Sequence, residues 1–210
     1  MIKVVTVRSY FYEDDKKELN ASVPSIGDKE NSNAENQVNK DVDELIMQMV
    51  DCFYEEYNQN ANDFKSVGVT YDVITNTDRW FTLRLNVIET AASSRQYYKF
   101  YNIDRENDRV VKLSDLCENK DYKNIISDDI KRQMREQMDS DSSISYWIKE
   151  EDVVLGGNFT RIEDDQNFYF NEIGNIVIVF DEGDVAPSSM GTVEFEINKA
   201  VVEECKYRFK

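Results

Sequence analysis

Three runs constrain the fold most: VGVTYDVIT (67–75), WFTLRLNVIE (80–89) and RQYYKFYNI (95–103). Each alternates apolar with polar residues, so each presents one face to a core and the other to water. The first two are joined by NTDR, a hairpin-length turn, and tight turns of this kind connect antiparallel strands. After the third run, DREND turns the chain into RVVKLSDL, a short returning strand that ends in a Ser-Asp helix start. The result is an antiparallel meander with one apolar face that needs a cover.

Two helical patterns can supply it. From Ser32, Val38, Val42, Leu45, Ile46, Met49, Phe53 and Tyr57 recur at three- and four-residue steps, and acids fill the other positions. Ser32 and Glu35 have capping-box spacing at the start. This stripe reads as core, and Cys52 is expected on its apolar face as a packed thiol. A second helix is expected over roughly 119–138, with Tyr122, Ile125, Ile126, Ile130, Met134 and Met138 inward. Residues 2–12 read as a first strand. The segment 13–33 is polar and turn-rich and reads as an irregular connection, with Pro24 and Ile26 docking on the core. QNFYFNE, NIVIVFD and GTVEFEIN read as three late strands, and the tail from 198 as a last strand or a short helix. The expected fold is α+β, an antiparallel β-sheet with two main helices packed on one face.

Composition excludes several function classes. The chain carries 42 acids against 25 bases, a net charge of −17. Such a field repels nucleic acid and anionic membrane surfaces and attracts cationic partners. With no histidine at all, Ser-His-Asp, Cys-His and HExxH sites are excluded. Cys52, Cys117 and Cys205 form no CxxC, and their spacing assigns neither a zinc site nor a disulfide. No window approaches 18 apolar residues. Met1 runs straight into a strand, like the start of an excised piece with a targeting segment or membrane anchor upstream.

The remaining chemistry is weak. Asp14/Asp15, Glu55/Glu56, Asp128/Asp129, Glu150/Glu151 and Asp164/Asp165 are adjacent acids, and Tyr97, Tyr101, Trp147 and Tyr169 could serve as sugar platforms. No feature singles out an acid–base pair for a glycosidase. DSDSSISYWIKE (139–150) has acids at calcium-loop positions, but Ile144 stands where such a loop needs Gly. Ile144, Tyr146, Trp147 and Ile148 read instead as a short apolar helix. Gly156 and Gly157 lack the Lys of a phosphate loop. No catalytic, metal or cofactor site is therefore expected.

One segment stands apart: VFDEGDVAPSSMG (179–191). Ile176, Ile178 and Phe180 point to one face and Val177 and Val179 to the other, as in a central strand. It ends in Asp181, Glu182, Gly183 and Asp184, where Gly183 frees φ, and Pro187 then fixes its own. A stiff loop with carboxylates beside a Val-Ala-Pro ridge is expected to bind at low ordering cost. The expected partner-binding residues are Asp181, Glu182, Asp184, Val185, Ala186, Pro187, Ser188 and Ser189.

Several blocks together resemble a known family. YNIDRENDRVVKLSDL (101–116) and FYFNEIGNIVIVFDEGDVAPSSMGTVEFEI (168–197) resemble the extracytoplasmic domain of anti-sigma factors of the RsiV type. ASVPSIGDKENSNAENQVNKDVDELI is similar to the proline strand and first helix of its partner domain, a pair also found in the non-catalytic region of peptidoglycan deacetylases of the PdaC type. The resemblance implies a deacetylase-associated-type domain over 1–92, an RsiV-type domain over 93–198 and a tail over 199–210, the two domains packing as one unit. It implies a receptor that binds lysozyme outside the cell. Binding would release, by proteolysis, a sigma factor held through a segment absent from this chain, with the membrane reached only through an absent upstream anchor. Lysozymes of the animal type are small and basic, which suits a charge of −17. The alternative implied is a non-catalytic accessory domain of a peptidoglycan-modifying enzyme, or a cell-wall lipoprotein. Two departures stand out. The usual Thr-Gly of the 104–108 turn is Glu-Asn-Asp, and the aromatic expected after Pro187 is Ser188, followed by Ser189, so a partner contact there is weakened or replaced.

Overall fold

The computed structural model describes residues 1–27, 32–59, 63–148 and 158–205. The chain is a mixed α+β protein divided into two compact units, Met1–Val110 and Val111–Lys210. In the first, β1 (Lys3–Glu13), β2 (Lys17–Gly27), β3 (Lys65–Asn76), β4 (Trp80–Thr90), β5 (Ser94–Asp104) and β6 (Arg109–Val110) form one sheet in sequence order. The meander is present as read: Leu85 pairs with Tyr71 on one side and Lys99 on the other, antiparallel throughout. Leu83, Leu85 and Val87 are buried on its inner face, while Arg84 and Asn86 face the other way. Arg84 donates to Asp72 at 2.9 Å and lies over the Tyr98 ring, so the outer face is tied by polar contacts. β5 pairs with β4 along its full length, which places 94–110 in the first unit and the break after Val110, not at 92/93.

The segment 13–33 departs from the irregular connection expected. Residues 17–27 are a strand in which Lys17, Leu19, Ala21 and Val23 are buried and Glu18, Asn20 and Ser22 are not. β2 pairs antiparallel with β1 and parallel with β3, from Lys17 opposite Lys65 to Ala21 opposite Val69. The parallel pair needs a crossover, and the helix α1 (Asn33–Gln59) is that crossover. Pro24 fits inside a strand because it is opposite Thr6 at a bulge in β1 and lies beyond the end of the β3 pairing. Pro24 and Ile26 are buried, as expected.

α1 packs on β2 through Ala34, Val38, Val42, Ile46, Val50 and Phe53, all within the sheet's core. Cys52 is exposed, which corrects the packed-thiol reading, because the buried stripe passes through Val50 and Phe53 on either side of it. The start of α1 is held twice. Ser32 Oγ accepts from Glu35 N at 3.1 Å, as the capping box predicts, and donates to Asp108 Oδ1 at 2.6 Å. Asp108 also accepts from Asn33 N at 2.9 Å. The helix is thus capped by a carboxylate from the β5–β6 turn.

The second unit holds the short helix α2 (Leu113–Leu116), the long helix α3 (Tyr122–Ser140), and a three-stranded antiparallel sheet. Its strands are β7 (Phe168–Phe170), β8 (Ile176–Phe180) and β9 (Val193–Glu196), with β8 in the middle. The single sheet with two helices thereby resolves into two sheets, with one long helix in each unit. The tail begins as a helix, α4 (Lys199–Glu204), capped by Asn198, whose side chain accepts from Ala200 N. Asp129 of the Asp128/Asp129 pair has a structural place: buried, it accepts from Arg132, from Gln133 and from Asn198 N, fixing α3 to the end of β9.

Candidate partner-binding surface

All five residues of β8 are buried, so both faces of the strand are packed, as its sequence predicts for a central position. The foundation beneath its C-terminal end is aromatic. Phe180 meets Phe159 edge-on at 5.1 Å between ring centres and Phe195 at 6.0 Å, and Phe195 meets Tyr146 at 5.6 Å. Such edge-to-face packing holds rings in one orientation. A chain leaving Phe180 therefore leaves from a fixed point.

The turn that follows is closed by its own acids. Asp184 N donates to Asp181 O at 3.1 Å, and Asp181 N donates to Asp184 Oδ2 at 3.0 Å. Gly183 sits at φ +83°, where a side chain would be strained. Pro187, at φ −53°, leads into a 3-10 turn at Ser188–Met190, in which Met190 N donates to Pro187 O at 2.8 Å. A strap from elsewhere in the unit pins the middle. Trp147 N donates to Val185 O at 2.8 Å, and Phe159 N donates to Trp147 O at 2.7 Å. Residues 144–148 therefore form no helix, contrary to expectation, because the Trp147 backbone is bonded outward to Val185 and Phe159.

The loop presents less than the expected ridge. Val185 and Ala186 are 3% and 2% exposed, so both anchor the loop and neither offers contact area. Glu182, Asp184, Ser188 and Ser189 are exposed, and Asp181 and Pro187 half-buried. Beside the loop lies an open groove of about 370 Å³ whose walls include Asp184, Val185, Phe159, Arg161 and Glu163. The Phe159 wall and the Trp147 strap are parts of this surface that sequence reasoning missed; the buried aromatic in SYWIK was the available signal. Tyr169, offered as a sugar platform, donates to Glu194 across the sheet.

Asp141 in the calcium-like window accepts from Ser143 N at 2.9 Å, a local turn whose hydrogen bonds hold its carboxyl below the ordinary range. Among the described residues no group of three Cys, Asp or Glu side chains is gathered to hold a metal ion. Glu150, Glu151, Gly156 and Gly157 lie outside the described residues. No described helix is long and apolar enough to cross a membrane.

Residues 114–200, within the second unit, match the family described as a protein of unknown function, DUF3298. Over 202 residues the chain is 31% identical to the anti-sigma-V factor RsiV of Bacillus subtilis strain 168, covering 96% of this chain and 70% of that protein. The fold is shared with a DUF3298-family protein of Pseudomonas aeruginosa PAO1, at 12% identity and TM-score 0.66, over 97% of this chain and 92% of that one. A Bacteroides fragilis member of the family aligns at 17% identity and TM-score 0.60, over 98% and 92%.

Proposed function

The chain belongs to the family of the anti-sigma-V factor RsiV, and from that premise we propose that it is the extracytoplasmic, lysozyme-binding part of a membrane-anchored anti-sigma factor. Lysozyme binding is the signal for proteolytic release of a sigma factor held by a segment outside this chain. The relative is named as an anti-sigma factor, not as an enzyme, and the role needs no chemistry from this domain. The observation that carries the reading is the acidic lip at 181–189, rigid and anchored, on a chain of net charge −17.

Three properties of the lip favour a basic protein as ligand. Glu182 and Asp184 are exposed and held by a closed turn, so they steer a cationic partner and lose little freedom on contact. Pro187 and the Ser188–Met190 turn provide a firm edge without long side chains to order. The groove lined by Asp184 and Glu163, with Arg161 also in its wall, is large enough for a protruding side chain of the ligand. Ser188 and Ser189 supply hydroxyls in place of an aromatic anchor, so the polar contacts carry more of the affinity. Calorimetric titration of this protein with hen-type lysozyme at low salt should give saturable heat at one-to-one stoichiometry. Folded protein that gives no heat overturns the assignment.

A further inference from the structure

The cysteines provide an inference independent of the ligand. Cys117 follows α2 near the start of the second unit, and Cys205 follows α4 at the end of its described part. Almost the whole unit lies between them in sequence, yet they meet in space. Glu118 N and Asn119 N both donate to Cys205 O, at 3.2 and 3.3 Å. The peptide that follows Cys117 is therefore one hydrogen bond from the backbone of Cys205, the close backbone approach that a disulfide requires. The two residues are 6% and 1% exposed, and their thiols are near enough for Cys117 to lower the pKa of Cys205. Cys52 lies in the first unit and is exposed.

We propose that Cys117 and Cys205 form a disulfide that closes the second unit end to end. In the folded chain the Cys117 thiol lowers the pKa of Cys205 against the opposing effects of burial and Glu204; in the folding chain either thiolate can attack first, and the route through Cys205 is as follows. The Cys205 thiolate attacks one sulfur of a small disulfide such as oxidised glutathione, and the first glutathione thiolate leaves. Cys117 then loses its proton and attacks the Cys205 sulfur, releasing the second. Two protein thiols become one disulfide, and two electrons pass to the oxidant. Because both sulfurs are buried in the folded chain, the exchange takes place during folding, and packing then shields the bond. Its formation rests on geometry alone; only its persistence in the cell rests on the oxidising, extracytoplasmic placement proposed above.

The bond would brace the base of the lip. β9 receives the chain from the loop and passes it through Ile197 and Asn198 into α4, so a tie at Cys205 fixes the far end of that path. The closed loop spans nearly the whole unit, and long loops are those in which a cross-link restricts the unfolded chain most.

The test is refolding of the full chain from denaturant in a glutathione redox buffer, followed by alkylation with N-ethylmaleimide and peptide mapping. The expected product carries one maleimide, on Cys52, and a linked peptide joining Cys117 to Cys205. Its melting temperature should exceed that of the reduced protein by at least ~4 °C. Cys52→Ser should keep that difference, and the double variant Cys117→Ser/Cys205→Ser should lose it. Three maleimides, a linkage through Cys52, or a mixed glutathione disulfide as the final product would overturn the proposal. None of these readouts involves lysozyme, so failure here leaves the ligand assignment standing, and the reverse also holds.

Discussion

Asp108 joins segments far apart in sequence. It lies at φ +47°, a conformation that side chains other than glycine seldom adopt, and from there it meets Ser32 Oγ and Asn33 N at the start of α1. The turn that delivers it is organised by Asp104, fully buried, which accepts from Glu106 N, Asn107 N and Asn107 Nδ2. Glycine at this position would relieve the backbone, whereas aspartate gives that up for a cap. Asp108→Ala should lose the cap and keep the strain, costing about 1–2 kcal/mol in chemical denaturation. Asp108→Gly should cost less, because it relieves φ. An alanine variant as stable as the parent would show that the cap contributes nothing. Ser32 could be identified as a cap from Glu35 three residues on. Its second partner could not, because nothing local in sequence links position 32 to 108.

At the scale of elements, legibility followed how strongly each strand alternates. The meander strands carry large residues on their inner face, and β8 is apolar throughout, so both were plain. β2 was not. Its buried positions hold a lysine, an alanine and a proline among three larger aliphatics, and Asn20, Ser22, Pro24, Ser25 and Gly27 imitate a loop. Its strand geometry is imposed by two neighbours, β1 and β3, and the parallel pairing comes from the crossover of α1. A matched pair of substitutions tests this. Leu19→Ala removes a side chain with no exposure and should cost about 2–5 kcal/mol, whereas Asn20→Ala on the outer face should change stability by less than ~0.5 kcal/mol. Equal effects would mean that the segment does not pack as a strand.

At the scale of the whole molecule, the excess of acids over bases governs encounter more than fold. The position and stiffness of the 181–189 loop were legible from the apolar strand before it, from Gly183 and from Pro187. Its exposure was not. Val185 and Ala186 were expected to form a contact ridge, but a backbone strap from Trp147 draws them inward, and no pattern in the loop signals that strap. The part of the lip left for a partner is polar, so binding should rest on charge and on preorganisation. The most direct measurement is the affinity for lysozyme between ~20 and ~300 mM salt for the parent, Asp184→Lys and Pro187→Ala, the range over which screening of exposed charges sets in. The account predicts that the parent weakens by at least ~tenfold over that range, and that Asp184→Lys is at least ~tenfold weaker at low salt, about 1.4 kcal/mol. It also predicts faster dissociation for Pro187→Ala. A parent affinity indifferent to salt, or both variants binding as the parent does, would contradict it.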